Sequence, residues 1–175
     1  SEEKLYDFKK EHGILSVALD DRNNMLRSEM QLYNDELARV KTEQQAAAAR
    51  YSVLSAAATD VSKLPAKELL DSQVLQSLRS SYLDAIRERE ALMSSGKGAN
   101  HPDVLAAASR AARTKKSLLQ EVRNIKAATQ SELRVLGRRA GGIKSLYEDA
   151  KKRALELNEL EIEYRLNPGD GAFYG

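Results

Sequence analysis

A single hydrophobic track constrains this chain more than any other feature. It starts at Val104 and returns every three or four residues through Ala108, Ala111, Lys115, Leu118, Val122, Ile125, Thr129, Glu132, Leu136, Arg139, Ile143, Leu146, Ala150, Arg153, Leu157 and Leu160 to Tyr164. All but Lys115, Thr129, Glu132, Arg139 and Arg153 are apolar. Alternating steps of four and three average about 3.5 residues, the a/d seam of a coiled coil and not the wider apolar stripe of an ordinary core helix. A helix of about 60 residues at about 1.5 Å per residue would run roughly 90 Å. The sequence therefore predicts an all-α fold, an elongated antiparallel coiled-coil hairpin or bundle.

A second seam begins at Leu19. Leu19, Leu26, Tyr33, Val40, Ala47, Leu54 and Val61 alternate with Asn23, Met30, Leu37, Gln44, Tyr51 and Ala58. Ahead of it, Leu5 and Phe8 share a face and Gly13 follows His12, a pattern that reads as a helix end followed by a joint at 14–16. Lys63-Leu64-Pro65 is expected to close the second seam, since proline lacks the amide donor. A further helix follows, with Leu75, Leu78, Tyr82, Ala85 and Leu92 on its buried side. Ser95-Gly96-Lys97-Gly98-Ala99 reads as a flexible stop. Pro102 then suits the first helical position and Asp103 the positive end of the helix dipole. The expected helical runs are thus about 1–12, 17–62, 66–94 and 102–166, which reads as four passes. Alternatively the break at Pro65 is a kink, with the runs on either side stacked end to end against the long last seam. The Pro/Gly-rich stretch 167–175 is expected to be a turn or disordered.

Two features of the last helix stand apart. Gly137, Gly141 and Gly142 each cost about 1 kcal/mol relative to alanine in a helix interior. They imply a loosened or bent segment or, more sharply, close approach of another helix. The charged seam positions Lys115, Glu132, Arg139 and Arg153 either fix register or extend to the seam edge.

Composition narrows the function classes. Of 175 residues, 31% are charged, with 28 Lys and Arg against 26 Asp and Glu, so no basic stripe for nucleic acid emerges. No apolar run approaches the roughly 20 residues of a membrane span, and the start carries no signal-peptide pattern. The chain is expected to be a soluble piece cut from something larger. The absence of cysteine says nothing about compartment in a long-helix protein. The two histidines, His12 and His101, lie in different turns, and His101 before Pro102 reads as a turn residue and not a ligand. Glu159, Glu161 and Glu163 are spaced by two, which scatters them around a helix. No catalytic, cofactor-binding or metal-binding residues are assigned, no cofactor is expected, and an enzyme is disfavoured.

Three segments carry a resemblance. They are Leu70-Asp71-Ser72-Gln73-Val74-Leu75-Gln76-Ser77-Leu78-Arg79, then Gly98-Ala99-Asn100-His101-Pro102-Asp103-Val104, then Leu155-Glu156-Leu157-Asn158-Glu159-Leu160-Glu161-Ile162-Glu163-Tyr164; Glu3 to His12 adds a fourth. In this order they resemble the periplasmic region of polysaccharide co-polymerases and exopolysaccharide transport proteins of the Wzz, Wzc and GumC type. Beyond Tyr164 the residues Arg165 to Gly175 depart from that family pattern, and the membrane spans, α/β base and kinase domain of such proteins are not in this sequence. The resemblance implies a non-catalytic periplasmic segment of a bacterial inner-membrane protein that forms homo-oligomers. It implies partnership with a polysaccharide polymerase, an outer-membrane exporter and polysaccharide itself, and control of polymer length or export. Competing readings are the helical hairpin of a periplasmic adaptor in efflux or type I secretion, against which no strand-rich flanks are found, and a generic scaffolding coiled coil.

Overall fold

The computed structural model describes residues 1–166, and the expected tail at 167–175 lies outside them. The α-helices are α1 (Glu2–Ala57), α2 (Ala66–Asp71), α3 (Gln73–Ser94) and α4 (Pro102–Leu166), with a 3-10 turn at Val61–Lys63. Among the described residues there is no strand, so the fold is all-α. The described residues divide into two compact units: 1–43 with 136–166, and Gln44–Val135.

The first unit pairs the beginning of α1 with the end of α4. The pairing is antiparallel, because Glu36 meets Arg139, Glu29 meets Arg153 and His12 meets Tyr164. Leu26 and Val40 of α1 are buried, as are Leu136, Ile143, Ala150 and Leu157 of α4. Removing a side chain of this size from water is worth about 1.5–3 kcal/mol, which is what holds two helices that have no third partner within this unit.

Gly13 does not end a helix. The expected runs 1–12 and 17–62 are one helix as far as Ala57, and Phe8, His12, Ser16 and Leu19 continue the partly buried track through the glycine. A glycine stop requires a left-handed residue, and among the described residues only Gly96 has positive φ. One interior glycine costs about 1 kcal/mol, less than the burial gained by extending the seam.

The second unit brings three helical segments together. Leu54 and Ala57 from the end of α1, Leu64 from the connection, Leu75 from α3, and Leu118 and Val122 from α4 form one buried cluster. Tyr51 lies beside Lys126 and Leu54 packs in the cluster with Val122 and Leu118, so α1 runs antiparallel to α4 here. Leu75 in that cluster and Glu88 against Arg110 show that α3 does too. Within this unit α1 and α3 are therefore successive partners along α4, the end-to-end alternative, and the four-pass reading is corrected.

The break between them begins at Ala57, earlier than Pro65. The Thr59 hydroxyl donates to Ala56 O at 2.8 Å, and Asp60 accepts from Ser62 N at 3.0 Å and Ser62 Oγ at 2.7 Å. Short polar side chains of this kind offer the backbone an alternative to the helix. Leu64, preceding proline, is extended (φ −69°, ψ 118°), and α2 starts directly after Pro65. The expected run 66–94 is also split. Ser72 is extended and its hydroxyl accepts from Leu75 N at 3.2 Å, so it caps α3.

Candidate functional site

The hairpin tip is built by backbone capping at both ends. Gly96 (φ +94°) follows α3; its amide donates to Met93 O at 3.1 Å and the Lys97 amide to Leu92 O at 3.2 Å. This is the Schellman arrangement, and it requires a residue without Cβ. The stretch read as a flexible stop thus has a defined hydrogen-bond pattern. On the other side Pro102 opens α4, as expected. His101 precedes it, and its Nδ1 accepts the Asp103 backbone N–H at 3.1 Å, the work of an N-cap. Lys97 Nζ pairs with Asp103 Oδ2 at 2.9 Å and holds that carboxyl below its ordinary range. His101 is accordingly a turn residue.

His12 sits mid-helix, far from that role. Its ring stacks on Tyr164 with centroids 4.4 Å apart, the Phe8 ring lies tilted to it at 5.4 Å, and the Tyr164 hydroxyl donates to His12 O at 3.1 Å. Partial desolvation raises the Tyr164 phenol above its usual range. Among the described residues no three His, Cys, Asp or Glu side chains gather as metal ligands. Glu161 pairs with Arg165 along α4 at 2.6 Å, while Glu159 and Glu163 are exposed.

The charged positions of the α4 seam are relocated. Lys115, Glu132, Arg139 and Arg153 are all exposed, and beyond Thr129 the inner row is Leu133, Ala140, Tyr147 and Ala154, half-buried between the buried Leu136, Ile143, Ala150 and Leu157. Leu146 and Leu160, expected inside, are 48% and 57% exposed. Steps of four from Ile125 to Thr129 and again to Leu133 shift the phase, a stutter in the heptad pattern. Arg139 and Arg153 reach from the flank to Glu36 and Glu29, with Glu43 4.0 Å from Arg139, and join α1 to α4 as flanking interhelical pairs. Among the described residues Gly141 and Gly142 receive no other helix, since a Cβ on either meets nothing within 4 Å, and α4 passes through these two and Gly137.

The sequence reading did not anticipate the ion pair that ties α2 to α1. Arg50 Nε and Nη2 donate to the two carboxylate oxygens of Glu68 at 2.8 and 2.9 Å, and Glu68 is only 5% exposed. Its bidentate, charge-assisted geometry is of the strong kind and raises the Arg50 guanidinium further above its ordinary value. Arg50 lies next to the seam residue Tyr51, and nothing in the local pattern identifies its partner eighteen residues on.

No described helix is long and apolar enough to cross a membrane. The chemistry gathered at the tip, the flanks and the break is capping and pairing, which suits docking between helices. No family model, curated protein or solved structure matches this chain.

Proposed function

We propose that this chain is a non-catalytic periplasmic coiled-coil segment of a bacterial inner-membrane polysaccharide co-polymerase, regulating the length or export of a surface or secreted polysaccharide. The observation that carries the reading is where the resembling segments fall. The segment Leu70 to Arg79 makes the capped junction of α2 and α3, and Gly98 to Val104 makes the hairpin tip. The outermost two, Glu3 to His12 and Leu155 to Tyr164, meet where His12 stacks on Tyr164. Segments that look unrelated along the sequence thus serve as a junction, a turn and a mutual contact, the positions at which a hairpin of this kind needs particular residues.

Homo-oligomerisation belongs to the same proposal. Met25 and Leu32, seven residues apart on α1, are 57% and 64% exposed, and Leu146 and Leu160 on α4 are similarly uncovered. Apolar side chains repeated at heptad spacing outside an existing seam favour a further helical neighbour. In this reading the polymerase and the outer-membrane exporter are the other partners, and the segment acts by position and contact, without making or breaking bonds.

The deciding experiment deletes the gene for the full-length protein and resolves surface and secreted polysaccharides by length on a gel. Loss or altered length of one polymer is the expected outcome. An unchanged profile together with a defect in drug or protein efflux would replace this reading with that of a periplasmic adaptor.

A further inference from the structure

The second unit contains a cleft of about 350 Å³ where the α1–α2 connection, α3 and α4 meet. Its base is apolar: Leu64 is buried, and Tyr82 and Leu119 are half-buried. Its edge carries Asp60, Arg79 and Lys115, all exposed. Among the described residues, neither Arg79 nor Lys115 is within ion-pair distance of a carboxylate, whereas Arg87 and Arg110 nearby pair with Asp84 and Glu88. Asp60 is held ionised by Ser62, whose amide and hydroxyl both bond Oδ1 and leave Oδ2 as a free acceptor.

These groups ask for a ligand with three properties at once. Two cations, Lys115 with its charge acting on Asp60 but outside ion-pair distance, leave this edge net positive and call for an anionic group, preferably a planar carboxylate that a guanidinium can grip with two hydrogen bonds. An ionised aspartate beside them accepts hydrogen bonds only, so it disfavours a bare dianion and favours hydroxyl donors. A phenol ring and two leucines beneath call for a compact body with an apolar face. The volume suits one small ring, at the lower end of the range of about 300–1,000 Å³ typical of small-molecule sites. We propose that this cleft binds a hexuronate, a sugar ring bearing one carboxylate, with Arg79 and Lys115 on the carboxylate, Asp60 on ring hydroxyls and Tyr82 beneath the ring. The inference extends the co-polymerase reading by naming a saccharide class, but it is tested by binding at the cleft, so its failure and the failure of that reading are separate results.

The test is an amide-resolved NMR titration of the full chain with D-glucuronate, D-glucose and inorganic phosphate. Glucuronate is expected to give saturable shifts at Asp60, Ser62 and Leu83, with glucose at least tenfold weaker and phosphate not saturating at these amides. In R79Q/K115Q the glucuronate affinity is expected to fall at least tenfold. Both side chains are exposed, so the variant keeps its fold, and unchanged amide positions in the second unit away from the cleft, at Val104 to Ala111 and at Ala47, verify this. D60N is expected to weaken glucuronate while strengthening phosphate. Glucose binding as tightly as glucuronate, phosphate saturating as tightly, glucuronate shifts that survive R79Q/K115Q, or no saturable shift at all would each overturn the assignment.

Discussion

The two units of this chain solve the same problem with different means. In the first, two helices bury a narrow row, Leu26 and Val40 against Leu136, Ile143, Ala150 and Leu157, and ion pairs flank it. In the second, a third segment arrives and the cluster around Leu54, Ala57, Leu75, Leu118 and Val122 reaches complete burial. Val40 and Ala150 are fully buried in the first unit too, but as separate points along the row, so the seam leans on length and flanking charge. In the second unit the fully buried residues touch one another in a single cluster, and the energy concentrates in them. The second unit should therefore be sensitive to single core substitutions and the first to the accumulation of small ones.

The largest effect is expected at Leu118, which is wholly buried. Leu118→Ala should cost about 2–5 kcal/mol and lower the melting temperature clearly, whereas Leu157→Ala in the first unit should lie at the low end of that range. Leu118→Asp should abolish the second unit's protection from hydrogen exchange; unchanged helicity and melting would mean that the wrong face was identified. Next comes Glu68→Ala, which strands Arg50. Arg50's side chain is 42% exposed and water can reach it, so about 1–3 kcal/mol is expected, measured by denaturant unfolding. Gly141→Ala should act in the opposite direction, stabilising by about 1 kcal/mol because the added Cβ meets nothing; destabilisation would reveal a close neighbour there. Arg139→Ala should cost less, about 0.2–1 kcal/mol, and the loss should shrink as salt is added, a dependence absent from Leu118→Ala.

The smallest expected effects are those of pH. Tyr164 has its folded pKa raised, so the stability it contributes is complete below its unfolded value near 10 and is lost as pH rises through the folded value. Asp60 and Asp103 are shifted the other way: what they contribute is present above about 3.8 and is lost as pH falls through their lowered values. Alkaline titration should thus loosen the first unit at the His12–Tyr164 contact, and acid titration the break and the tip in the second, each followed by local amide shifts.

The same contrast explains what the sequence revealed. The α1 seam from Leu19 to Val61 is buried or half-buried at every position read from periodicity, as are Leu75, Leu78, Tyr82, Ala85 and Leu92 of the following run. Regular heptads with one dominant face leave little choice. The second half of α4 was misphased because Leu146 and Leu160 outrank Ala140 and Ala154 in hydrophobicity, and a strict alternation of four and three has no place for the stutter at Thr129. Gly13 was overread because a glycine stop depends on backbone handedness, which residue type permits but does not require. The cleft and the Arg50–Glu68 pair were illegible for another reason: each needs side chains from separate segments, and no local pattern records which segments meet.

The interrupted partner of α4 has a consequence for insertions and deletions. An extra residue inside α4 rotates everything after it by about 100° and exchanges buried faces for exposed ones. An extra residue between Thr59 and Pro65 falls outside every α-helix and so rotates neither α1 nor α3, provided that Leu64 stays seated in the cluster it shares with them. Lineages carrying this arrangement should thus vary in length at that connection far more readily than in the helix opposite it, and the shape of the cleft formed by the connection would vary with it.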